Sequence, residues 1–314
     1  MLAKDKYINP LTDFGFKKLF GTEPNKDLLI DFLNQLLPKN KRVKKLKYTQ
    51  NEHLGNGSLD RKAIFDLYCE NEKGEKFIVE MQKAKQNYFK DRSVYYSSFP
   101  IREQAKRGEW NYQLSDIFTI GVLDFIFDDS QSKNFISTVK LKDQDCKVFY
   151  EKLTFIYLEL PKFKKEESQL KSKFDKWIFV LKHLANLQDR PAFLKEKVFK
   201  KLFESAEIAK FNPQEQQQYE QSLKYYRDIK NVTDTAKEEG MIEGKAKGII
   251  EGKAEGIIEG KAEGIIEGKA EGIIEGKKAV IRTGLKEGTS IDLLSKLTGL
   301  SKEVIEKIKK DDTI

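Results

Sequence analysis

The chain of 314 residues has a formal charge of +8 and only two cysteines, Cys69 and Cys146, which excludes a disulfide framework. No apolar run approaches the roughly 20 residues of a membrane span, and the start MLAKDKYINP lacks a signal-peptide stretch, so a soluble cytoplasmic protein is predicted. The basic excess favours a polyanionic partner such as nucleic acid, although a lysine-rich solvated surface gives the same charge.

Two helices and a strand are predicted at the amino end. In TDFGFKKLFG, Thr12 or Asp13 can cap a helix, apolar residues follow at spacings of three and four, and Gly21 can end it. A second helix is predicted over 25–37, before a proline, and a strand over 43–50.

The segment FDLYCENEKGEKFIVEMQ predicts a β-hairpin with one acid in each strand, Asp66 and Glu80. If its turn places Gly74 at a positive φ, paired residues have numbers that sum to 146, and Asp66 lies opposite Glu80. Side chains alternate along a strand, so Asp66, Glu80 and Gln82 share one face while the odd-numbered apolar residues form the core face.

Facing carboxylates repel each other, since cross-strand partners lie about 4.5–5.5 Å apart at Cβ. A divalent cation would offset this repulsion, and oxygen ligands suit Mg²⁺ or Mn²⁺. Magnesium keeps several waters, one of which could attack a phosphorus. The alternative is that this face is solvated and both acids are surface residues, and a register slip by one residue would also separate them.

Further strands and helices follow the hairpin. One or two helices are predicted over 87–107, with Pro100 as a break. The continuous apolar run DIFTIGVLDFIF predicts a strand that is buried on both faces, and TFIYLEL predicts another. Strands separated by helices indicate an α/β fold with a mixed central sheet flanked by helices.

Three segments resemble the Rpn family of recombination-promoting nucleases and putative transposases, within the PD-(D/E)XK nuclease superfamily. They are INPLTDFGFKKLFG, IFDLYCENEKGEKFIVEMQ and DRSVYYSSFPIREQAKRGEWNYQLSDIFTIGVLDF, and the resemblance covers about residues 7–230. It implies a metal-dependent DNA endonuclease that uses Mg²⁺, or Mn²⁺, to hydrolyse phosphodiester bonds. The implied setting is DNA recombination, transposition or defence against foreign DNA.

The resemblance also implies roles for individual residues. Asp66 and Glu80 would bind the metal, and Gln82 stands where the superfamily usually has a lysine and would position the water. Gln82 has no charge, which keeps open an alternative: a weak or inactive DNA-binding or regulatory protein with the nuclease fold. Asp13 could add an acid, although capping explains it equally well, and Arg92 could meet a phosphate.

Changes in composition divide the chain into four predicted regions. Residues 1–160 are predicted to form the nuclease-like core, and 161–237 a helical region that completes or extends it. Residues 238–280 hold the octapeptide repeat IIEGKAEG, a long helix or a flexible spacer, because each glycine weakens a helix by roughly 1 kcal/mol. Residues 281–314 predict a small helical hairpin, similar to a helix-turn-helix. Self-association through the repeat would give a homo-oligomer.

The sequence lacks the motifs of zinc enzymes, serine hydrolases and phosphate-binding loops. With only two histidines, the chain has no HExxH motif and no histidine-rich zinc site, and no G-x-S-x-G elbow occurs. The EGKA of the repeat is not a phosphate-binding loop, since alanine follows the lysine where serine or threonine is required.

Overall fold

The computed structural model describes residues 5–49, 52–53, 63–105, 108–127 and 132–311. The chain forms two compact units, Met1–Thr235 and Ala236–Ile314. The helices are α1 (Asp13–Phe20), α2 (Lys26–Leu36), α3 (Phe89–Glu103), α4 (Lys173–His183), α5 (Lys197–Ala206), α6 (Pro213–Lys286), α7 (Ile291–Thr298) and α8 (Lys302–Asp311). The strands are β1 (Leu46–Tyr48), β2 (Glu52–His53), β3 (Ala63–Ile64), β4 (Leu67–Asn71), β5 (Lys76–Gln82), β6 (Ile117–Leu123), β7 (Ile136–Lys142) and β8 (Val148–Glu159).

The first unit is built on a mixed sheet of six strands in the order β1-β4-β5-β6-β8-β7. The three central strands β5, β6 and β8 are parallel, and the other three pair antiparallel. Every residue of β6 is buried, as the continuous apolar run predicts. The chain therefore has the α/β fold that the sequence predicts, and the carboxyl ends of β5, β6 and β8 lie at one edge of the sheet.

Helices cover both faces of this sheet. The larger core lies between one face and α1, α2, α4 and α5, around the fully buried Trp177. The other face of the hairpin packs against α3, where Tyr68 and Ile78 contact Phe99. This face is therefore buried, and the alternative of a solvated face is wrong.

Local chemistry sets the position of α1 as the sequence predicts. The hydroxyl of Thr12 accepts a hydrogen bond from the Gly15 amide at 3.0 Å, and the Gly21 amide donates to the Lys17 carbonyl at 2.7 Å as the helix ends. Gly15 must be a glycine, because a Cβ there would lie 2.1 Å from the Asn9 carbonyl oxygen. Thr12, and not Asp13, caps this helix.

The hairpin turn forms because Asn71 satisfies its backbone. The Asn71 side-chain oxygen accepts from the amides of Lys73 and Glu75, each at 2.9 Å, and Gly74 has φ +76°. The paired residues, such as Leu67 with Val79, have numbers that sum to 146. The predicted register is therefore confirmed.

In the middle of the chain, one prediction is wrong and one strand was missed. Helix α3 is a single helix that continues for three residues past Pro100, whose ring is buried near the carboxyl end, so Pro100 does not break it. The antiparallel edge strand β7 was not predicted, because its residues are largely exposed and give no buried run.

The second unit consists of the end of α6 and the pair α7–α8. Helix α6 is continuous through the octapeptide repeat, and the isoleucine pairs of the repeat are exposed. The predicted helical hairpin packs on the end of α6 through Ile281, Leu294 and Ile305, and Gly299 ends α7 at φ +69°. Among the described residues, no helix is long and apolar enough to cross a membrane.

Candidate active site

The two hairpin acids meet at the carboxyl end of β5. Asp66 occupies a bend one residue before the first pair of the β4–β5 ladder, Leu67 with Val79, and it lies near enough to Glu80 for its charge to act on that carboxylate. Its Oδ2 accepts a hydrogen bond from the Met81 amide at 2.8 Å. The bend also turns Phe65 onto the α3 face, where it packs against Tyr68, which departs from the predicted alternation.

Both carboxylates are held in a poorly solvated position. Glu80 is only 7% exposed, and burial raises its pKa to about 7, with the Asp66 charge adding to the rise and Arg92 opposing it. Burial also raises the pKa of Asp66, against the effect of the Met81 hydrogen bond, and the charge of Asp13 adds to the rise. Each acid therefore favours the neutral form more than a solvated acid does.

Arg92 on α3 is the cation that faces Glu80. Its Nη2 lies 2.8 Å from the Gln82 Oε1 and 3.5 Å from the Glu80 Oε2, and its Nη1 contacts Gln86. The Gln82 amide nitrogen donates to the Ala84 carbonyl at 3.1 Å. The predicted residues Glu80, Gln82 and Arg92 are thus brought together. Arg92 was predicted to meet a phosphate, and in this structure it contacts the carboxylate of Glu80.

The charge of Asp13 acts on Asp66. It forms an ion pair with Lys17 at 2.9 Å on α1, and both residues affect the pKa of Asp66, in opposite directions. Since Thr12 caps the helix, capping does not explain why an acid stands at position 13. All five predicted site residues therefore lie at this end of the sheet.

Sequence reasoning missed a lysine and a helix at this site. Alternation along the strand would turn Lys83 to the face opposite Glu80 and Gln82. In the structure, burial lowers the pKa of Lys83, and the charges of both Asp13 and Asp66 oppose that effect. It lies 4.9 Å from the centre of the Tyr225 ring and 5.8 Å from that of Tyr226, both on α6. Only its position directly after the ExQ motif could have pointed to Lys83, and nothing local in the sequence connects α6 to the hairpin.

A cleft of about 960 Å³ opens beside these residues, between α1, the end of β5 and α6. Its walls include Asp13, Gln82 and Lys83 from the site and Gln218 and Tyr225 from α6. The site therefore borders a space that a ligand can enter.

The sequence model of a family described as PD-(D/E)XK nuclease family transposase matches residues 10–236. The chain belongs to this family. The matched range includes the whole sheet and every site residue named above, and the resemblance seen in the sequence is confirmed. No curated protein and no solved structure matches the chain. Membership supports a nuclease-like or transposase-like function.

PD-(D/E)XK nucleases generally use divalent metals, and the donor set of this member fits one. Asp66 and Glu80 offer carboxylate oxygens, and burial raises both pKa values, with the charge of Asp13 adding to the rise at Asp66 and that of Asp66 adding to it at Glu80. The described residues contain no group of three acids, histidines or cysteines arranged to hold a metal. Magnesium keeps several waters and takes one or two carboxylates together with substrate phosphates, so two carboxylates suffice.

Proposed function

We propose that this family member is an endodeoxyribonuclease that hydrolyses phosphodiester bonds with Mg²⁺, or Mn²⁺, in DNA recombination, transposition or defence against foreign DNA. The observation that carries the proposal is the pair of acids Asp66 and Glu80, half-buried and buried, whose charges interact at the carboxyl end of β5. A structural protein gains little from this pair, because burial disfavours the ionised form of both and the charge of Asp66 disfavours it further at Glu80. A shared divalent cation reverses that preference.

Asp66 and Glu80 would hold the ion in this mechanism. When bound, a divalent cation supplies Lewis-acid stabilisation of phosphate oxygens and lowers the pKa of water. The Met81 amide donates a hydrogen bond to Oδ2 of Asp66 and so holds this carboxylate in place. Glu80 is fixed within a central strand, so its carboxylate needs little reorganisation.

Gln82 and Arg92 together would replace the missing lysine. Gln82 cannot supply charge, but its oxygen accepts from the Arg92 guanidinium at 2.8 Å and so holds a permanent cation beside Glu80. That cation could stabilise charge that develops on the phosphate oxygens. In this arrangement Gln82 would position Arg92 as well as water.

Plasmid cleavage tests the proposal. Supercoiled DNA is incubated with Mg²⁺ and with wild type, Asp66→Asn or Glu80→Gln, and the exposed acid variant Glu109→Gln serves as the matched control. Wild type and Glu109→Gln should nick the plasmid, EDTA should stop them, and each site variant should be at least about 100-fold slower. Equal nicking by wild type and Asp66→Asn would remove the catalytic proposal.

The second candidate is a DNA-binding or regulatory protein without effective catalysis. Arg92 favours it, because the guanidinium already pairs with Glu80 and with Gln82. DNA binding by wild type without Mg²⁺- or Mn²⁺-dependent nicking would favour this candidate over the nuclease.

A further inference from the structure

The ammonium group of Lys83 lacks hydrogen bonds within the described protein. Its Nζ is buried, and no hydrogen-bond acceptor contacts it among the residues that the structure describes. It lies over the faces of Tyr225 and Tyr226, and Asp13 and Asp66 act on it only through their charges. Aromatic faces attract a cation, but they do not replace its hydrogen bonds, so a buried ammonium group here favours an anionic ligand.

The other two lysines that line the cleft already have partners. Lys17 pairs with Asp13, and Lys18 pairs with Glu215 of α6. Lys83 lines the same cleft, and its Nζ has neither a hydrogen bond nor an ion pair to a described residue. An anion that enters the cleft would supply the missing acceptor.

The α6 wall of the cleft offers contacts for a flat, polar group. Tyr225 is 61% exposed although its ring lies against Lys83. Gln221 and Gln218 line the same wall, one and two turns before Tyr225, respectively. Glutamine amides both donate and accept hydrogen bonds, which suits the edge of a nucleobase, and an exposed tyrosine ring suits its face.

We propose that this cleft binds one unpaired nucleotide of the substrate strand, with Lys83 on its phosphate and Tyr225 stacked on its base. The proposal rests on the nuclease function proposed above, which makes nucleic acid the anion. The volume of about 960 Å³ lies in the range of roughly 300–1,000 Å³ that holds a small ligand, so a single nucleotide fits. The substrate class is therefore DNA with single-stranded or extruded nucleotides next to the cleaved bond.

Binding without cleavage tests this proposal on the full chain. Fluorescence anisotropy in EDTA compares a labelled short oligothymidylate with a duplex of the same length. Wild type should bind the single strand more tightly. Tyr225→Ala should weaken single-strand binding by about 5- to 100-fold, whereas Tyr225→Phe, which keeps the ring, should bind like wild type. Because Tyr225 is exposed, neither change should affect folding, which circular dichroism and thermal unfolding verify.

The salt dependence of single-strand binding tests the role of Lys83. Lys83→Met should reduce the slope of log K against log salt by about 0.7, the value for one phosphate contact on a single strand. Lys83→Arg should keep the slope, and Lys195→Met, which removes an exposed lysine before α5, serves as the matched control. If Tyr225→Ala binds like wild type, or wild type prefers the duplex, the nucleotide proposal is overturned. If the same preparations still nick the plasmid and Asp66→Asn does not, the nuclease proposal stands although the nucleotide proposal has failed.

Discussion

Glu80 should make the stability of the first unit depend on pH when no metal is present. Burial raises its pKa from 4.5 to about 7. Because the pKa is higher in the folded state, the protonated carboxyl stabilises the fold. This stabilisation is complete below about pH 4.5 and is lost as the pH rises through about 7. The interval between 4.5 and about 7, at about 1.4 kcal/mol per pH unit, gives a loss of about 3 kcal/mol.

Urea unfolding in EDTA at pH 4.5 and pH 8 measures this loss. Both tryptophans, Trp110 and Trp177, lie in the first unit, so their fluorescence follows its unfolding. The free energy of unfolding of wild type should fall by about 3 kcal/mol more than that of Glu80→Gln, which cannot ionise. The exposed Glu109→Gln variant should follow wild type. If wild type and Glu80→Gln change in parallel, the carboxyl is not in the environment described here.

Other predictions concern the site, a helix and the repeat. Arg92→Met should reduce plasmid nicking by about 100-fold and lower stability at pH 8, because Glu80 loses its cation; Arg92→Lys should recover part of both. Gly15→Ala should lower the free energy of unfolding by at least about 1–3 kcal/mol, because the new Cβ clashes with the Asn9 carbonyl oxygen. Gly252→Ala meets open space in α6 and should increase the helicity measured by circular dichroism, because alanine favours a helix more than glycine does. If chains associate through the repeat, deletion of 241–280 should reduce the mass measured by light scattering, and an unchanged mass excludes that association.

The hairpin could be predicted in detail because its determinants are local. Asn71 and Gly74 set the turn, and the turn fixes the pairing of Leu67 with Val79, which brings Asp66 near Glu80. The same holds for α1, where Thr12 and Gly21 act within a few residues of the helix. Alternation failed at Phe65, because the bend at Asp66 interrupts the strand.

The surroundings of the hairpin could not be predicted because they depend on contacts distant in sequence. Helix α3 buries the face of Glu80, which an isolated hairpin would leave in water. Helix α6 brings Tyr225 to Lys83 across more than 140 positions of the chain. This packing raises the pKa of Glu80, and it buries the Nζ of Lys83 without a hydrogen-bond partner among the described residues.

The most direct test of the central claim is the anomalous diffraction of a crystal of the full chain soaked with Mn²⁺. The account predicts one ion at the carboxyl end of β5 that is coordinated by both Asp66 and Glu80, and the loss of that ion in a crystal of Asp66→Asn. An ion that contacts only one of the two carboxylates, or no ion at this end of the sheet, would contradict it.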